Sequence, residues 1–122
     1  MEIFRIFLKK YTKSYTKLLI KYFTLEGSVL QDRLRSKVCV YGNIDDMQVL
    51  ANENKRDVKL RTFKAIRDAA EGGGYILGGT ESSIYNIETA KSFILMSKIS
   101  SIYGNYPINL GKIEDKIRSL EL

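Results

Sequence analysis

Two polar turns hold the residues of this chain best placed to meet a ligand. One is Gly42-Asn43-Ile44-Asp45, directly after the apolar run Val38-Cys39-Val40-Tyr41. The other is Gly78-Gly79-Thr80-Glu81-Ser82, directly after Tyr75-Ile76-Leu77. Glycine lets something approach the backbone closely, and the carboxylates and hydroxyls beside it can hydrogen-bond to what approaches. Gly42, Asn43, Asp45, Gly78, Gly79, Thr80, Glu81 and Ser82 are therefore the candidate ligand-facing residues. None is assigned a catalytic role. Asp45 could meet a ligand or cap the turn that follows it, and Asn43 could simply supply a left-handed turn. The second loop could equally be an exposed turn.

Much other chemistry is excluded. The chain has no histidine, the usual acid–base group near neutral pH and the commonest metal ligand. With one cysteine as well, it cannot build a Cys/His zinc site, so no metal or cofactor is expected. Cys39 lies inside an apolar run, where it packs as a small hydrophobe, and it has no partner for an internal disulfide. The glycines at 72–74 precede a strand rather than a helix, so they are not a phosphate loop.

The elements that must position these turns can be read from periodicity. Residues 37–41 and 75–77 read as strands. Asn54 is an N-cap, with Asp57 three residues on, for a helix running to Ala70. Its apolar face is Val58, Thr62, Phe63, Ala65, Ile66 and Ala69, and the glycines at 72–74 stop it. A short helical turn over 45–50 precedes it. A further helix runs from Ile87 to Ile102 and ends at Gly104, and its run Phe93-Ile94-Leu95-Met96 needs cover on more than one face. Strand, helix, strand makes a βαβ unit, whose functional loops lie at the C-terminal ends of the strands.

The order of these pieces resembles the C-terminal part of the uroporphyrinogen decarboxylase superfamily, which includes the haem-pathway decarboxylase and cobamide-dependent methyltransferases. Its end pattern has counterparts in Gly42-Asn43-Ile44-Asp45, in Leu50-Ala51-Asn52 through Asp57-Val58, in Gly72-Gly73-Gly74-Tyr75-Ile76-Leu77, and in Tyr103-Gly104-Asn105-Tyr106-Pro107. The resemblance covers about residues 34–108. It implies a (β/α)8 barrel and, as ancestral chemistry, decarboxylation of tetrapyrrole acetate side chains without a cofactor, or zinc-dependent methyl transfer from a cobamide to a thiol. The departures fall where the family does its chemistry. No His-x-Cys pair is present, and Glu81 stands where the methyltransferases resemble one another in a cysteine and the decarboxylases usually carry histidine. The decarboxylase's basic N-terminal segment and essential aspartate also have no counterpart. The missing zinc ligands tilt the resemblance toward the decarboxylase.

A barrel needs roughly 200 residues or more, and this chain has 122. The expectation is one domain, residues 1–122, of α/β class. It is a partial (β/α)8 barrel of about two βα units: an amphipathic helix over 3–24, a βαβα core over 34–108 and a tail over 109–122. Such a piece is expected to be inactive alone and to take a tetrapyrrole-type ligand only when another chain completes it. Uncovered strand edges and apolar surface then predict self-association or a partner chain.

Residues 3–24 carry a separate signal. Phe4, Phe7, Leu8, Tyr11, Tyr15, Leu18, Leu19 and Tyr22 recur at helical spacing. Arg5, Lys9, Lys10, Lys13, Lys17 and Lys21 fall mostly opposite, and no acid stands between Glu2 and Glu26. The net charge of +6 lies wholly on this segment, since acids and bases balance elsewhere. An outer barrel helix is the first reading, an anionic membrane surface the second, and nucleic acid the third. A non-enzymatic interaction module docking through this segment is the alternative from another class. No run of 18 apolar residues and no secretory leader pattern is visible, so a reduced cytoplasmic setting is expected.

Overall fold

The computed structural model describes residues 18–19, 40–42, 44–81 and 83–122. Strands β1 (Leu18–Leu19), β2 (Val40–Tyr41) and β3 (Tyr75–Ile76) form one parallel sheet in the order β1-β2-β3. Leu18 pairs with Val40 and Leu19 with Tyr41; Val40 pairs with Tyr75 and Tyr41 with Ile76. The ladder continues beyond the strand ends. Gly42 N donates to Ile76 O at 3.0 Å, Ile44 N to Gly78 O at 3.2 Å, and Thr80 N to Ile44 O at 2.9 Å.

Parallel neighbours need a crossover. Between β2 and β3 it consists of a π-helical turn, Asp46–Leu50, and helix α1, Lys55–Ala69. Helices α2 (Ile87–Tyr103) and α3 (Leu110–Glu121) follow β3. The class is therefore α/β with helix predominant, and no closed barrel forms among the described residues.

Asparagine opens each α-helix. The side-chain oxygens of Asn54, Asn86 and Asn109 accept from Asp57 N, Thr89 N and Lys112 N at 3.1, 2.8 and 3.1 Å. Each satisfies a backbone donor that has no partner inside its helix, a contribution of about 1 kcal/mol. Helix α1 ends where Gly72, Gly73 and Gly74 take φ of 82°, 84° and 74°. Packing does not require glycine at Gly73, because a Cβ there would meet nothing within 4 Å. The backbone conformation itself does, since it is costly for any residue with a Cβ.

The helices bury two adjoining apolar groups. Phe63, Ile66 and Ala70 of the α1 end meet Ile99 of α2 and Ile113 and Ile117 of α3. Phe63 meets Tyr103 edge to face at 5.0 Å. Nearer the sheet, Ile44, Val49, Leu50, Val58 and Met96 form the second group, with Leu77 and Phe93 packed against it. The expected α1 face is buried at Val58, Thr62, Phe63, Ile66 and Ala69, and half-buried at Ala65.

One expectation needs correction. Leu18–Leu19 form a strand, so no unbroken helix runs through 3–24; the rest of that segment lies outside the described residues. A short apolar run such as Leu18-Leu19-Ile20 suits either geometry by periodicity alone, and pairing with β2 decides it. The tail over 109–122 forms helix α3, whose Ile113 and Ile117 lie in the core beside α1. The run over 93–96 is also better covered than its sequence suggests. Met96 is buried, Phe93 and Leu95 are half-buried, and only Ile94 is exposed.

Candidate functional site

The parallel register brings the two polar turns to one end of the sheet, and a single buried side chain ties them together. Asp46 opens the π-helical turn after β2 and is only 1% exposed. Its Oδ2 accepts from Glu81 N at 3.0 Å and Ser83 N at 3.2 Å, both in the loop after β3. Its own amide donates to Thr80 Oγ1 at 3.3 Å. Oδ1 is buried without a hydrogen-bond partner among the described residues. It lies against Gly79, where a Cβ would stand 1.8 Å from it. No side chain fits at that position while Asp46 keeps its place.

The neighbouring Asp45 does a different job. Its Oδ1 accepts from Met47 N at 2.9 Å and Gln48 N at 2.6 Å, so it caps the turn. Of the two readings open for Asp45, the cap is the one the geometry fills. Sequence alone does not single out Asp46. The signal available was the Asp-Asp pair at the end of a strand, but adjacent residues in this turn face different ways, and only the loop from β3 distinguishes them.

The other candidates divide clearly. Gly42 is buried, with φ 112°, and its carbonyl accepts from the Tyr75 hydroxyl. Gly78 is buried against the Tyr41 ring, where a Cβ would come within 2.6 Å of the ring carbon and 2.7 Å of the hydroxyl. Thr80 is half-buried and bonded on both sides. Glu81 is exposed, and its Oε2 accepts from Tyr85 Oη at 2.8 Å. Asn43 and Ser82 lie outside the described residues.

Two tyrosines that carry no local sequence signal for a site, Tyr75 and Tyr85, border this edge. Burial, with smaller contributions from Asp68 and Tyr41, pushes the Tyr75 hydroxyl above the ordinary tyrosine range. This hydroxyl donates to the Gly42 carbonyl. The hydrogen bond to Glu81 raises Tyr85 in the same direction. Behind the site, Lys55 Nζ binds Glu88 Oε2 at 2.9 Å and Ser92 Oγ at 3.0 Å, and Ser92 Oγ donates to Leu50 O at 2.7 Å. Lys91 and Lys55 together hold the Glu88 carboxyl below its ordinary value.

This arrangement can position backbone and offer acceptors. Among the described residues no three His, Cys, Asp or Glu side chains are grouped to hold a metal ion. No described helix is long and apolar enough to cross a membrane. Comparison with protein families, curated proteins and solved structures gives no match.

Proposed function

We propose that this chain is a non-catalytic sector of a barrel resembling the uroporphyrinogen decarboxylase superfamily, its loop edge forming one wall of a site that another chain completes. The observation carrying this reading is the sheet order. The three described strands run parallel as neighbours in chain order. A barrel wall has this order, as does each half of an open doubly wound sheet, which reverses only at the ligand crevice; the glycine-bearing motifs of the resemblance favour the barrel. Both glycine-bearing loops project from the C-terminal end of the strands, where such folds place their ligands.

Several features support a wall over a catalyst. Asp45 and Asp46 are both committed to backbone hydrogen bonds. The stretches 41–54 and 71–90 contain no Lys or Arg. A polycarboxylated tetrapyrrole needs cationic donors, and on this edge they would have to come from outside those stretches. The decarboxylase relation thus concerns framework and ancestry, with the methyltransferase relation as its sibling. The test is turnover of uroporphyrinogen by the purified chain. The expected result is no product above the uncatalysed background, and clear turnover overturns the reading.

A further inference from the structure

We propose that the loop edge docks a second copy of this chain, which presents its basic, aromatic-rich sequence 3–17 in a head-to-tail contact. The inference rests on the reading that another chain completes this edge, and it names that chain.

The surface is both apolar and acidic. Met47, Ile84, Tyr85 and Ile87 are large hydrophobic side chains left exposed. They stand on two segments held side by side by the Asp46–Ser83 hydrogen bond and by Asn86 Nδ2 donating to Ala51 O. The same two stretches, 41–54 and 71–90, carry Asp45, Glu53 and Glu81 and no Lys or Arg. Lys55 and Lys91, which directly follow the two stretches in sequence, are drawn into ion pairs with Glu88. An apolar surface on segments that carry acids fits a partner segment that alternates bases with aromatic residues.

This chain carries such a segment. Arg5, Lys9, Lys10, Lys13 and Lys17 alternate with Phe4, Phe7, Tyr11 and Tyr15, without an acid among them. The sheet register gives the contact its polarity. Leu18 pairs with Val40, at the end where the strands begin, whereas the acidic loops lie where they end. The basic sequence enters β1 at one end of the sheet, and the acidic loops leave β2 and β3 at the other, a polarity by which copies attract end to end. Such a heterologous contact builds chains or rings, in contrast to a closed isologous dimer.

The test is sedimentation velocity of the whole chain across ionic strength, with the double variant Glu53→Lys/Glu81→Lys alongside. Both side chains are exposed and neither caps a helix. Circular dichroism checks that the variant is folded. Association is expected at about 0.05 M salt and should weaken about tenfold or more by roughly 0.5 M, as screening shortens the reach of charge. The double variant should weaken it similarly at low salt. Adding Lys9→Glu/Lys10→Glu/Lys13→Glu to that variant should restore it. Association that ignores both salt and the variant overturns this inference while leaving the completed-edge reading intact. A monomer under all conditions overturns the inference too, since a second copy then cannot be the chain that completes this edge.

Discussion

The Oδ1 of Asp46 occupies the space where a side chain at position 79 would begin: a Cβ built on Gly79 falls 1.8 Å from it. Glycine and buried carboxylate are therefore mutually required. Gly79→Ala must drive Asp46 outward, and Glu81 N and Ser83 N then lose their shared acceptor. We expect a loss of at least about 2 kcal/mol, the range of substitutions that break a buried network. Gly73→Ala is the control. Nothing crowds that site, so its cost should be only the about 1–2 kcal/mol of a left-handed residue. Urea midpoints of the two variants, at equal m-value, measure the difference.

The two neighbouring aspartates should separate by what each releases. Asp45→Ala removes a cap, for about 0.5–2 kcal/mol, and should leave the loop over 79–83 protected. Asp46→Ala strips the acceptor from two amides in that loop. Hydrogen exchange should then accelerate at Glu81 and Ser83 in Asp46→Ala and stay slow there in Asp45→Ala. Equal exchange in the two variants would show that Asp46 does not hold the loop.

Much of this framework was legible in the sequence because its signals are local. Asn54 caps the turn of backbone beside it, glycines over 72–74 supply their own φ values, and the α1 face follows from helical spacing. What escaped depends on distant pairings. Asp46 acquires its role from residues 35 and 37 positions away. Leu18–Leu19 become a strand because of Val40–Tyr41. Helix α3 looks dispensable until Ile113 and Ile117 are placed against Phe63 and Ile66. Periodicity reveals that a face is apolar, but not which element covers it.

Ser92 bridges two elements by a route that sequence does not reveal. It is fully buried, donates to Leu50 O at 2.7 Å and accepts from Lys55 Nζ at 3.0 Å. Ser92→Ala leaves the Leu50 carbonyl without that donor in a dry setting and should cost about 1–3 kcal/mol. Ser97→Ala, at an exposed position of the same helix, should be near neutral. Thermal unfolding of the pair separates a hydrogen-bond effect from helix propensity.

Alkaline pH should destabilise the fold through Tyr75. Its hydroxyl is raised above the unfolded value of 10.0, chiefly by burial. Below that value both states hold the proton, and the stabilisation is fully present. As pH rises past it, the unfolded chain gives up its proton while the folded chain keeps it, so stability falls with pH. Tyr75→Phe should flatten this slope above about pH 10, the ordinary range of tyrosine. It should also remove the bond to the Gly42 carbonyl, and so begin less stable at neutral pH. An unchanged alkaline slope in the variant would place the effect on other tyrosines.

Helix α3 provides the sharpest test of how the fold closes. Ile113 is fully buried and Ile117 nearly so, both against Phe63 and Ile66. The ion pairs that join α3 to α1, Lys64 with Glu121 at 2.7 Å and Arg67 with Glu114 at 3.5 Å, lie at the surface. Exposed pairs contribute about 0–1 kcal/mol, whereas truncating a buried isoleucine costs about 2–5 kcal/mol. Packing should therefore outweigh charge. Ile113→Ala should lower the unfolding midpoint far more than Lys64→Ala, and high salt should not reproduce its effect. Removing residues 109–122 would uncover Phe63, Ile66 and Ile99 together, and cooperative melting should then be lost. If the shortened chain still melts in one sharp transition, α3 is an accessory and the core closes without it.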